Sequence, residues 1–151
     1  MRISAKADYA VRAAVELAAA GDEPIKGERL AEAQDIPLQF LEHILLELKH
    51  ARLVRARRGA RGGYWLAKPP DEITLADIFR AVEGPLANIQ DEAPEAKSYP
   101  GQAEALRDVW IAVRASLRRV LEEVTVADLR DGKIPNQVLE LTHDAGAWDT
   151  R

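Results

Sequence analysis

Between residues 48 and 70 the chain carries seven basic side chains, Lys49, Arg52, Arg55, Arg57, Arg58, Arg61 and Lys68, and no acidic one. Cations gathered this way suit phosphate, because each neutralised phosphate releases condensed counterions and guanidinium forks match its oxygens. Arg57, Arg58 and Arg61 sit among Gly59, Gly62 and Gly63. Arginines on a glycine-rich tip can enter a minor groove or clamp phosphates, and glycine lets the backbone come close and adopt positive φ. The alternative is a solvated basic face with no partner. Composition alone leaves both open.

Gln39, Phe40 and His43 lie just upstream, near the start of a predicted helix. That end of a recognition helix meets base edges. Gln39 has the donor and acceptor pair that reads adenine, and His43 can donate to guanine. Gln39 and His43 equally suit a solvated face, and Phe40 a core.

Other chemistry is poorly supplied. There is no cysteine, which removes thiolate zinc sites, cysteine nucleophiles, redox dithiols and cysteine-held iron–sulfur clusters. His43, His50 and His143 lack metal-ligand spacing, and no nucleophile elbow, phosphate loop or dinucleotide glycine pattern occurs. Glu122 and Glu123 fall on a predicted solvent face. The expectation is a protein that is not an enzyme, with no metal site and no cofactor.

The elements that hold the basic residues follow from periodicity. A helix is predicted over 4–20, capped by Ser4, a short one over 27–34, and a third over 38–51 with Leu38, Leu41, Ile44, Leu45 and Leu48 in one stripe. Asp35-Ile36-Pro37 breaks the second from the third. Short helix, tight turn, longer helix is the helix-turn-helix pattern. Strands at 53–57 and 63–67 around the glycine-rich tip read as a hairpin, and a hairpin after a helix-turn-helix is a wing. Thr74 and Asp77 form a capping box for a helix over 75–83, which Gly84-Pro85 stops.

Residues 86–100 read as an irregular loop. The longest helix is expected over 101–124, about 36 Å long at the usual rise. Its stripe of Leu106, Val109, Trp110, Val113, Leu117, Val120 and Leu121 is longer than a winged domain needs for its own core, so a second copy of the chain is the expected cover. A short helix follows near 125–131, and the tail is expected to be mobile. The predicted organisation is a DNA-binding domain at 1–85, a loop at 86–100, a dimerisation region at 101–131 and a tail at 132–151. The fold class is mainly α with a small two-stranded β-wing.

The chain has 151 residues, enough for one well-buried core. Its net charge of −4 hides an asymmetry. Residues 1–70 hold twelve basic and nine acidic groups, and residues 71–151 hold nine and sixteen. No run of apolar residues is long enough to cross a membrane, and the charged N-terminus lacks the apolar core of a signal peptide. A cytoplasmic protein with no membrane contact is expected.

Three segments in order carry a family resemblance: MRISAKADYAVRA at the N-terminus, FLEHILLELKHARLVRARRGARGGYWLA in the middle, and ITLADIFRAVEGPL at 73–86. Together they resemble the Rrf-two family of bacterial regulators, the IscR/NsrR/CymR-like proteins, without a break from residue 1 to about 86. The resemblance implies a homodimeric winged helix-turn-helix transcription factor, usually a repressor, that binds double-stranded DNA at a pseudo-palindromic operator. It implies backbone contacts from Arg2, Ser4, Lys6 and Tyr9, and a third helix that brings Leu38, Gln39, Phe40 and His43 to the major groove. It places the wing residues Arg57, Arg58, Gly59, Arg61 and Gly62 at the adjoining minor groove, and dimerisation on the 101–124 helix.

One departure is informative. Cluster-binding relatives carry three cysteines before the long helix, and LANIQDEAPEAKSYPGQ has none. Asp8, near where some relatives supply a carboxylate ligand, reads as a helix-start acid favoured by the helix dipole. Control by a small organic effector or by a protein partner, a bound metabolic enzyme, is the alternative input. Trp110 and Tyr99 are candidates for stacking a planar ligand, or for a core role.

Overall fold

The computed structural model describes residues 1–150. Ser4 Oγ accepts the Ala7 N–H at 3.0 Å and starts helix α1, Ala5–Ala20. Alanines at 7, 10, 13, 14 and 18, with Leu17, face inward and let neighbouring helices approach closely. Helix α2, Gly27–Gln34, ends at Asp35 in the left-handed conformation, and Pro37 starts α3, Leu38–His50. Leu41, Ile44, Leu45 and Leu48 of α3 are buried and form the centre of the core with Leu17, Leu30 and Ile78. The helix-turn-helix is thus held by its apolar stripe rather than by helix propensity.

Strand β1, Val54–Arg57, pairs antiparallel with β2, Gly63–Leu66, with Arg57 opposite Gly63 and Arg55 opposite Trp65. The wing has a third contributor that the hairpin signal did not show. Ile25 bridges Tyr64 through two backbone hydrogen bonds of 2.8 and 2.9 Å. The base of the wing is therefore stitched to the segment entering α2.

Helix α4, Leu75–Glu83, starts at the expected capping box. The chain then leaves the core. Helix α5 is Leu106–Leu121, which corrects the expected 101–124. At sixteen residues it spans about 24 Å, the same as α1 rather than longer. Pro100 and Gly101, the latter at φ +56°, confine the preceding residues to a separate 3-10 turn at Gly101–Ala103. At the other end Val124 is pulled out of the helix. Its carbonyl accepts the Leu75 N–H at 2.9 Å, and its side chain is buried.

Thr125 and Asp128 form a second capping box, which starts α6, Val126–Asp131. Val126 is fully buried in the same core as Ala7, and α6 packs along α1. Residues expected in a separate dimerisation region thus complete the core of the helix-turn-helix unit. The tail expected to be mobile forms helix α7, Asn136–Leu141, behind Pro135, and Trp148 Nε1 donates to the Thr142 carbonyl at 2.7 Å. No described helix is long and apolar enough to cross a membrane.

Candidate nucleic-acid interface

The core stripe of α3 fixes which side chains are left outside. With Leu41, Ile44 and Leu45 buried, Gln39, Phe40, Glu42 and His43 must point out, and all four are exposed. Leu38 behaves differently. It is half-buried, packs on the core and lies beside Gly27.

The wing stands beside this helix. A groove of about 490 Å³ separates them, walled by Glu42, Leu46 and Lys49 of α3 and by Arg57, Arg58 and Gly59 of the wing. Lys26 Nζ donates to the Gly59 carbonyl and pins the wing tip to the start of α2. Within the tip, the Arg57 guanidinium donates to the Arg61 carbonyl at 3.1 Å. Arg58 and Arg61 form no ion pair among the described residues, nor do Arg55, Arg52 and Lys68 along the wing's flank. Unpaired cations side by side repel one another, and a polyanion relieves that repulsion.

The wing glycines serve the wing first. A Cβ on Gly62 would lie 2.0 Å from the Arg57 carbonyl oxygen, and one on Gly63 would lie 2.6 Å from that of Ile25. Those two positions are closed by the protein's own backbone. Only Gly59, at φ +103°, has open space around it.

The N-terminal candidates divide. Arg2 is exposed and unpaired among the described residues. Ser4 is occupied, since it caps α1 and donates to Glu83 on α4. Lys6 Nζ lies 2.8 Å from Glu47 Oε1 on α3, and His43 Nε2 lies 3.7 Å from the same oxygen. Tyr9 meets Phe40 edge to face, and the Arg12 guanidinium stacks 4.8 Å above the Tyr9 ring. Arg12 also donates to the Gln34 carbonyl at 3.1 Å and pairs with Asp8 at 3.1 Å. The residues missed by sequence reasoning are these ties: Arg12, Lys26 and Glu47. Each joins elements far apart in the chain, so no local pattern marks it.

The expected dimerisation residues share one property. No residue of α5 is buried, although Leu106, Trp110, Val113, Leu117, Val120 and Leu121 are apolar, and Val109 is half exposed to solvent. The helix touches only α4 and the turn at Pro94–Ala96 to any extent.

Residues 3–132 match the model of a family described as Rrf2, iron-dependent transcriptional regulator. The chain belongs to the Rrf2 family. A Mycobacterium tuberculosis protein named as an HTH-type transcriptional regulator, Rv1287, is 50% identical over 151 residues, covering 99% of this chain and 94% of the relative. The HTH-type transcriptional regulator CymR of Bacillus subtilis is 35% identical over 133 residues, covering 85% and 89%. Among solved structures, CymR (YrzC), the global cysteine regulator of B. subtilis, superposes with a TM-score of 0.71 at 34% identity, covering 87% of this chain and 98% of that one. IscR of T. potens superposes at 0.70 with 32% identity, covering 87% and 88%. This Rrf2 protein is a winged-helix transcriptional regulator and not an enzyme.

The iron in the family's description can be tested against the donors present. The Rrf2 chain here has no thiolate. In the loop before α5, Glu92 is paired with Lys97 at 2.9 Å and Glu95 with Arg114 at 2.7 Å. No group of three or more His, Asp or Glu among the described residues is placed to hold a metal ion. Iron–sulfur clusters are held chiefly by cysteine, so the residues present do not fit one.

Proposed function

We propose that this Rrf2 protein is a sequence-specific repressor that binds a pseudo-palindromic operator as a homodimer, without an iron–sulfur cluster. The observation that carries the reading is α3 and the wing standing side by side across one groove, with Arg57 and Arg58 on the wing wall and Gln39 and His43 exposed near the start of the same α3 helix. Gln39 and His43 on α3 supply donors and acceptors for base edges. Arg58 and Arg61, with Arg2 beside them in role, supply phosphate or minor-groove contacts. Leu38 and Ser4, turned toward the protein, act by seating α3 and α1.

The unburied apolar face of α5 supports the homodimer. A sixteen-residue amphipathic helix with no buried residue leaves its apolar stripe only partly covered, with Val109 half exposed, and a second copy completes the cover isologously. Two reading heads related by a two-fold axis then meet two half-sites.

Selection of bound sites from a random duplex pool tests DNA recognition, symmetry and spacing together. A single asymmetric site, or no enrichment, overturns the reading. Sedimentation at micromolar concentration tests the dimer independently. Chromatography after anaerobic production with iron tests the cluster, and stoichiometric iron with acid-labile sulfide would overturn its absence.

A further inference from the structure

A cavity of about 310 Å³ opens where α4, the loop after it and α5 meet. It is lined by Arg80, Arg114, Arg118, Asn88 and the apolar Pro85, Leu86 and Ala93. Three arginines and one asparagine line it, and no acidic residue does. Among the other clefts, one on the wing's flank is also free of carboxylates, lined by Lys49, Arg52, Arg55 and Lys68. The one under the wing tip, about 510 Å³, mixes Glu16 and Glu23 with Lys26, Arg29 and Arg61.

We propose that this cavity is a binding site for a small oxyanionic effector, a compact molecule bearing a phosphate, sulfate or carboxylate group beside a short apolar part. Guanidinium forks bind such groups bidentately. Asn88 adds a neutral donor, and Pro85, Leu86 and Ala93 supply the apolar wall that most ligand pockets have. The volume falls at the small end of ligand sites, which fits a metabolite rather than a polymer.

The arginines are at present neutralised from the rim. Glu122 is shared, bonded to Arg80 and 3.8 Å from Arg118. Asp77 lies 4.0 Å from Arg80, and Glu95 is 2.7 Å from Arg114. Glu95 and Glu122 are about half exposed, whereas Arg114 is only 15% exposed. Arg114 is therefore built in, Arg80 and Arg118 are about as exposed as Glu122, and the counter-charges are solvated side chains that can swing away. The Glu95 carboxyl is held below the usual range by a backbone hydrogen bond at Glu95 and by Arg114. It is a resident anion that an incoming one displaces.

The rim is also strained. Ala87, Gln90 and Asp91 have positive φ of 54°, 50° and 65° without being glycine. Such residues gather at ligand clamps and switch regions. Arg80 sits on α4, whose Glu83 receives the Ser4 hydroxyl at the start of α1, and Arg114 and Arg118 sit on α5. A bound oxyanion thus bridges the reading head to the helix assigned to dimerisation. That regulatory consequence rests on the DNA-binding reading. The binding step does not.

The test uses the full chain with inorganic phosphate, sulfate, glycerol phosphate and malonate as probes, each titrated by calorimetry and by amide NMR at constant ionic strength. Saturable binding is expected with Asn88 and the Arg114 and Arg118 Nε signals shifting, and the preferred probe identifies the head group. Arg118→Gln, at a half-exposed position that does not threaten folding, should weaken it about tenfold, with Arg118→Lys in between. DNA affinity of Arg118→Gln without probe should match wild type, and only wild type should change affinity when the preferred probe is added. No saturable binding by any of the four, or equal binding by Arg118→Gln, overturns the proposal. Failure of the wild type to bind DNA at all would instead overturn the function.

Discussion

The ring of Phe40 stands edge-on to that of Tyr9, with centroids 5.7 Å apart and planes at 90°. One ring belongs to the first helix and the other to the exposed end of α3, so the pair ties the two helices together at that end. Aromatic pairs of this geometry contribute about 0.5–1.5 kcal/mol beyond their buried area. A double-mutant cycle of Tyr9→Leu and Phe40→Leu, followed by urea unfolding, should return a coupling in that range. Tyr9→Phe keeps the ring and removes the hydroxyl. It should leave stability unchanged and weaken binding to every DNA sequence if the hydroxyl meets a phosphate. A coupling of zero would remove the pair as the tie between α1 and α3.

The wing arginines should supply affinity more than discrimination. Arg58→Ala or Arg61→Ala should lower the magnitude of the salt slope by about one unit per lost phosphate contact. If either side chain enters a narrow A·T-rich minor groove, the loss depends in part on sequence. Unchanged slopes in both variants would take the wing out of the interface.

The glycines of the tip should rank by geometry. Gly62→Ala forces a Cβ against the Arg57 carbonyl, where no side chain can yield, and the wing must open. Overpacking of this kind costs about 1–3 kcal/mol. Gly59→Ala meets nothing but adopts a strained φ, so its cost is confined to the backbone. Thermal melts should show Gly62→Ala as the less stable of the two. The reverse order would mean the tip is not packed as described.

Gln39 and His43 should act on specificity. Alanine at either position should relax preference at a defined operator base pair by about 1–3 kcal/mol, with nonspecific affinity nearly unchanged. A uniform loss across sequences would assign base reading to other exposed residues of α3, of which Glu42 is one.

Leu117→Glu places a carboxylate in the apolar stripe of α5. An unpaired charge there is strongly unfavourable once a partner covers it, and costs less while the position is only partly buried in a single copy. The expected product is a folded monomer with much weaker operator binding. A dimer that survives the substitution would move the interface off α5.

Local patterns made part of this molecule legible. The bounds of α2 and α4 follow from Pro37, Thr74, Asp77 and Gly84, because caps and breakers act within a few residues. The exposure of Gln39 and His43 follows from the stripe that buries Leu41 and Ile44. The length of α5 did not follow. Val124 continues its apolar period, but a backbone bond to Leu75, forty-nine residues earlier, takes it elsewhere. The third strand of the wing is one residue, Ile25, and one residue has no period. The arginine cavity joins positions 80, 114 and 118 across two helices, and only the fold brings them together.

The clasp between residues 73–75 and 124–126 has a mechanical meaning. The Val126 N–H donates to Ile73 and the Leu75 N–H to Val124, both at 2.9 Å, so the chain returns to the place beside which α4 began. Everything from Gly84 to Glu123 is a handle fixed at both ends. A protease that nicks the handle once, at the exposed turn of Gln90 and Asp91, cuts the covalent thread but not the molecule. The C-terminal fragment stays seated through Val124 and Val126, and the head keeps the helix that closes its core.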